Sequence, residues 1–202
     1  NHLNWDKGIE LHHDGDLPAR SGLGSSSSFT VGMLNALNAL QGKHISKNEL
    51  AKQAIFIEQK VLNENVGCQD QIAAAYGGFN KIEFYGEESF KVSPIIIPEE
   101  RSNKLQDNLL LFFTGISRFA SEIEKSKIVN FSTKKIELNK MHDMVDVSID
   151  ILVNEAKNID DFGLLLNEGW NYKKSLSSLV SNKEIDEIYN LALRSGALGG
   201  KL

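Results

Sequence analysis

Apolar positions recur at helical spacing over most of this chain and alternate at strand spacing in only a few places. Phe29, Met33, Leu34, Leu37 and Leu40 fall three and four apart, which predicts a helix that Gly42 ends. Ser46-Lys47-Asn48-Glu49 has the form of a capping box and predicts a second helix from about Lys47 to Leu62. Asn63 to Cys68 reads as a loop, followed by a short helix from about Gln69 to Tyr76 that Gly77-Gly78 stops. The alternation in Ile9-Glu10-Leu11-His12-His13 predicts a short strand, broken by Asp16-Leu17-Pro18. Ile82–Tyr85 and Ser89–Ile97 read as two strands joined across Gly86, and the unbroken apolar run Leu109–Thr114 as a buried strand. Beyond it lie three helical stripes: Met141, Val145, Ser148, Ile149 and Leu152; Phe162, Leu165, Leu166 and Trp170; Ile185, Ile188, Tyr189 and Ala192. Trp170 is expected in the core.

Strand, three helices and a hairpin, then a strand and more helices, predict a mixed α/β (α+β) protein of two lobes. The polar stretch Pro98–Asn103 is expected to break regular structure, placing the lobes at 1–103 and 104–202. Composition adds little and excludes more. With 41% hydrophobic residues in 202 there is material for a real core. The net charge of −5, with no basic run longer than Lys134-Lys135 or Lys173-Lys174, argues against a nucleic-acid face. No apolar stretch approaches the ~20 residues of a membrane span. Cys68 is the only cysteine, so no internal disulfide forms and no zinc spacing exists, which fits a reducing cytoplasm. The chain opens at Asn1 without a signal pattern and stops at Gly199-Gly200-Lys201-Leu202 in glycine-rich sequence; both ends are expected to be cut from a longer protein.

The chemistry starts at Ser21-Gly22-Leu23-Gly24-Ser25-Ser26-Ser27-Ser28. Gly22 and Gly24 open backbone angles closed to other residues and leave no Cβ in a ligand's way. The serines stand at a helix start, where the first amides lack internal partners and the dipole is positive, so an anion, and above all a polyphosphate, is the expected guest. Serine hydroxyls can add hydrogen bonds or ligate a metal ion. A Walker A loop is excluded, because no lysine lies between Lys7 and Lys43; a dinucleotide fingerprint is excluded by Ser27 in place of its third glycine. A flexible Gly/Ser linker is the competing reading, and the apolar helix directly behind the serines argues against it.

Two carboxylates stand out, each with an ordinary explanation. Glu58 shares a face with Ala51, Ile55 and Leu62, where it is either salt-bridged, to Lys60 or to the other lobe, or simply exposed. Asp70, in Gly67-Cys68-Gln69-Asp70-Gln71, has the place of a helix-start aspartate complementing the dipole. A lone loop thiol such as Cys68 reads as structural. His12 and His13, on opposite faces of a strand, cannot share a metal.

Pro18 to Ser28, Pro-Ala-Arg-Ser-Gly-Leu-Gly-Ser-Ser-Ser-Ser, resembles the second signature of the GHMP kinases, which include galactokinase, homoserine kinase and mevalonate kinase. The resemblance implies a two-lobed fold, its N-terminal lobe like ribosomal protein S5 domain 2 and its C-terminal lobe ferredoxin-like. It implies ATP phosphates wrapped by Gly22, Leu23, Gly24, Ser25, Ser26 and Ser27, with Ser26 a ligand of Mg²⁺ and Glu58 a second ligand on the metal side. Asp70, a dozen residues after Glu58, would lie beside the acceptor hydroxyl as base or as an orienting charge. Three segments, Asp14–Gly32, Gln69–Asn80 and Phe113–Ile123, are most similar to the bacterial heptose-phosphate kinases of that family. This implies phosphorylation of D-glycero-α-D-manno-heptose 7-phosphate at its anomeric C1 hydroxyl, towards GDP-activated heptose and surface glycans. Arg118 would then contact a phosphate group, the alternative being a surface arginine or an ion pair with Glu122. The implied partners are ATP and a small sugar phosphate, with a homodimer left open. A kinase of another sugar (fucose, arabinose or galactose) and a non-catalytic sensor of nucleotide and sugar are the competing functions. The family's first and third signatures are absent from these 202 residues.

Overall fold

A computed structural model describes residues 8–15, 22–86, 89–115 and 130–202, which fall into two units that divide between Ser93 and Pro94. The first unit is built on three helices: α1 (Ser25–Leu40), α2 (Lys47–Phe56) and α3 (Gln69–Tyr76). Val31 and Leu34 of α1 pack with Leu50 and Ala54 of α2, and Ile45, Ile57, Ala74 and Ala75 close over them. Each large apolar side chain taken from water there contributes about 1.5–3 kcal/mol. Ala51 and Ala54 are fully buried; their small side chains let the three helices approach closely. The Ser46 cap forms where the sequence places it, its hydroxyl accepting from the Glu49 amide at 3.2 Å.

After Phe56 the helix widens into a π turn, Ile57–Val61, closed by the Leu62 amide on the Ile57 carbonyl at 2.9 Å. The additional residue in that turn carries Leu62 off the face it would share with Glu58 in a regular helix, and Leu62 is exposed. α3 stops at Gly77, whose φ of 62° is open to glycine. Strands β1 (Asn80–Tyr85) and β2 (Ser89–Pro94) pair as a hairpin, their three-residue connection being too short for a parallel crossover.

The second unit contains α4 (Glu99–Asp107), α5 (Lys135–Val153), α6 (Asp160–Leu176) and α7 (Lys183–Arg194). Ile151, Leu152, Ile159, Trp170, Leu176, Val180 and Ile185 are its buried apolar residues, with Trp170 in the expected place. Buried Arg101 of α4 donates to the carbonyls of Leu152 (2.8 Å), Lys157 (2.9 Å) and Ile151, covering backbone acceptors that the end of α5 leaves over. Residues 197–202 lie along α6 so closely that a Cβ on Gly199 would stand 2.1 Å from the Gly163 carbonyl oxygen.

Three local expectations are corrected. Residues 9–13 form no strand, and Ile9 and Leu11 are exposed. The run Leu109–Thr114 is likewise irregular, with Leu110 82% exposed. An apolar run states that burial would be favourable, but a strand also needs a neighbour for its backbone, and among the described residues only β1 and β2 form a ladder. Pro98–Asn103 does not break structure but opens α4: proline fits the start of a helix, and Glu99 and Glu100 complement its dipole. α4 belongs with the second unit through Arg101, so the units divide ten residues before position 103.

Candidate active site

α1 starts without a cap. Gly24 precedes it with φ 69° and has no side chain to cap it, and no acidic residue stands in its first turn. The Gly24 carbonyl accepts from the Ser28 amide at 2.9 Å, so the amides before Ser28 point out of the helix end. Gly22 has φ 78°. At Gly24 there is a second demand on glycine, because a Cβ would lie 3.3 Å from both the carboxyl carbon and Oδ2 of Asp70. The structure thus sets the exposed Asp70, in the first turn of α3, close to the N-terminal end of α1.

The four serines divide by what they face. Ser26 is exposed and Ser25 partly so, whereas Ser27 is buried and its hydroxyl donates to Glu58 Oε2 at 3.0 Å. Gln71 Nε2 donates to the same oxygen. Glu58 lies in the π turn and is 1% exposed, so it is not a simply exposed carboxylate, and no described Lys or Arg pairs with it. Its other oxygen, Oε1, is buried without a hydrogen-bond donor among the described residues. A buried carboxylate oxygen left bare is costly unless a cation or a donor meets it. That is the position a Mg²⁺ ion suits, since this ion is commonly held by one or two carboxylates with phosphate oxygens completing its shell. Among the described residues no group of three or more His, Cys, Asp or Glu could hold a metal by itself.

The loop between the two carboxylates is pinned: Gln59 Nε2 donates to the Val66 carbonyl at 2.8 Å and lies 3.4 Å from Cys68 Sγ. His12 bonds Glu10 at 2.9 Å and the His13 ring stands 4.7 Å from Phe29, so the two histidines face different neighbours. A groove of about 540 Å³ runs along α1 from the glycine turn, lined by Leu11, His13, Leu23, Phe29, Met33 and Ala36. Arg118 and residues 16–21, which begin the glycine-serine signature, lie outside the described residues.

The structure brings Gly24, Ser27, Glu58 and Asp70 together, with Ser26 on the exposed side of the same turn. Sequence reasoning passed over Gln71. Its signal was an amide beside Ile72 at the start of an alanine-rich helix, a polar side chain where the packing face of α3 had to lie.

Residues 1–78 match the family described as GHMP kinases N terminal domain. The chain is 38% identical over 196 residues to the D-glycero-alpha-D-manno-heptose 7-phosphate kinase of Campylobacter jejuni, covering 96% of this chain and 57% of that protein. It is 31% identical over 210 residues to the L-fucokinase/L-fucose-1-P guanylyltransferase of Bacteroides fragilis, covering 98% and 21%. The crystal structure of a D-glycero-D-manno-heptose 1-phosphate kinase from Bacteroides thetaiotaomicron superposes with a TM-score of 0.60 at 29% identity, over 93% of this chain and 51% of that one. The chain therefore spans about half the length of the two heptose-kinase relatives.

Proposed function

Residues 1–78 of this chain belong to the GHMP kinases, and from that premise we propose that it forms part of an ATP-dependent kinase that phosphorylates a sugar phosphate. The observation that carries the reading is the convergence of three groups. They are a glycine-flanked helix end without a side-chain cap, a carboxylate at Asp70 beside it, and a buried carboxylate at Glu58 with one oxygen that meets no donor among the described residues.

Phosphoryl transfer depends chiefly on positioning and on neutralising charge. The outward amides of α1 take the ATP phosphates, with Gly22, Leu23, Gly24, Ser25, Ser26 and Ser27 forming the turn around them. Glu58 Oε1 and the Ser26 hydroxyl hold Mg²⁺, which when bound neutralises phosphate charge. Ser27 holds Glu58 in place from behind. Asp70 receives the hydrogen of the acceptor hydroxyl, orienting its oxygen towards the transferred phosphorus or taking its proton. The apolar groove along α1 accommodates the remainder of the nucleotide. Arg118 contacts a phosphate of the acceptor. We place the reaction in the cytoplasm, where ATP is at hand.

For the acceptor we favour D-glycero-α-D-manno-heptose 7-phosphate, phosphorylated at C1, because the relative at 38% identity is named for that substrate. Another sugar such as fucose is the second reading, supported by the relative at 31%. The retention of Glu58 and Asp70 in contact with the helix end weighs against a non-catalytic sensor. Phosphorus NMR on the full-length protein, with Mg-ATP and a panel of sugars and sugar phosphates, tests all three. Heptose 7-phosphate should gain a second phosphorus coupled to the anomeric proton. A new signal from a different sugar alone overturns the acceptor, and Mg-ATP binding with no product from any sugar overturns the kinase.

A further inference from the structure

Glu58 has two oxygens in unequal situations. Oε2 accepts from two donors, the Ser27 hydroxyl at 3.0 Å and the Gln71 amide, while Oε1 has no donor among the described residues. The donors come from different helices, Ser27 from the first turn of α1 and Gln71 from α3. Gln71 is completely buried, and its own Oε1 also meets no donor among the described residues. A glutamine kept only to fill space would be better replaced by an apolar side chain of like volume, which leaves no acceptor unmet. The hydrogen bond that Gln71 does make goes to the oxygen of Glu58 that faces away from the bare one.

We infer that Gln71 is a positioning residue for the metal-holding carboxylate. By donating to Oε2 it fixes Oε1 as the oxygen Glu58 offers to the cation. Gln71 directly follows Asp70 on α3, so one short helix sets the orientation of the metal-side carboxylate and the place of the acceptor-side one. The π turn contributes the other half, since it sets the helical phase at which Glu58 meets both donors. The inference rests on the reading of Glu58 as a magnesium ligand. Groups that orient a metal's ligands without touching the metal characteristically change its affinity by about 10–100-fold when removed.

The test is made on the full-length protein with Gln71→Met, which keeps the side chain's length and removes the donor. Mn²⁺ is titrated by electron paramagnetic resonance in the presence of a non-hydrolysable ATP analogue. Binding of the metal-free analogue and the melting temperature are measured alongside. The expected result is a Kd for Mn²⁺ raised about 10–100-fold, with metal-free analogue binding unchanged. Gln71→Asn, which keeps an amide but withdraws it by one methylene, should shift the Mn²⁺ affinity in the same direction and carries the test if the methionine variant does not fold. Glu58→Gln separates the two levels of the argument. If it abolishes tight Mn²⁺ binding while a folded Gln71 variant retains wild-type affinity, the role of Gln71 is overturned and the reading of Glu58 stands. Unchanged Mn²⁺ affinity in Glu58→Gln overturns that reading and the inference together. A lowered melting temperature with wild-type Mn²⁺ affinity in the Gln71 variants makes the residue structural only, and likewise overturns the inference.

Discussion

A side chain at Gly24 would meet two obstacles, a left-handed backbone angle and the carboxyl group of Asp70, whereas at Gly22 it would meet only the first. The left-handed angle costs about 1–2 kcal/mol for a residue with a Cβ. Gly22→Ala and Gly24→Ala should therefore both lower the melting temperature in a thermal scan. Both, as parts of the proposed phosphate turn, should weaken Mg-ATP binding, and Gly24→Ala should depress kcat the more, by displacing Asp70; equal kcat in the two variants would separate Asp70 from this turn. Asp70→Asn should keep Mg-ATP affinity by calorimetry and lose about 10²–10⁴-fold in turnover. Unchanged kcat would remove Asp70 from the chemistry. Ser26→Ala should weaken nucleotide binding in the presence of Mg²⁺ and leave metal-free binding unaltered, as befits an exposed hydroxyl. The glycines and both carboxylates could be picked out from the residues and their resemblance, because their chemistry is local or lies in a motif. Gln71 could not. Its partner lies 13 residues back, across a loop and a π turn, and neither spacing nor hydropathy states that the two side chains meet.

At the scale of elements, periodicity succeeded where local interactions decide the outcome. α1, α3 and the capped start of α2 fall where apolar spacing, a serine cap and a stopping glycine place them. It failed where the outcome depends on a distant neighbour, as in the apolar run at residues 109–114, or where polar composition hid a helix start, as at Pro98. The contact between residues 197–202 and α6 gives a sharp test. A Cβ on Gly199 falls on the Gly163 carbonyl and on Asn167, so Gly199→Ala should destabilise by about 1–3 kcal/mol in a denaturant titration. Gly196→Ala meets no atom within 4 Å and should lose only the backbone-angle contribution. On α7, burial holds the Tyr189 hydroxyl above its ordinary value of about 10, with a hydrogen bond to the Gly200 backbone partly offsetting the rise. Stability from this difference is present below that value and is lost as pH rises through the higher folded one. Tyr189→Phe should remove that alkaline sensitivity, read as melting temperature against pH.

Across the whole molecule, the described residues leave a band of apolar surface on the second unit, where Leu110, Leu111, Phe112 and Phe113 are each at least two-thirds exposed. Exposed apolar patches promote association, so these 202 residues prepared alone should bind a hydrophobic dye and sediment as more than one species. Leu110→Ser with Phe112→Ser should reduce both signals in parallel. Every described group assigned to the donor phosphates, the metal or the acceptor hydroxyl lies between residues 22 and 71, inside the unit that ends at Ser93. On the proposed reading, a recombination crossover after Gln71 and before Pro94 would pass these described groups on together.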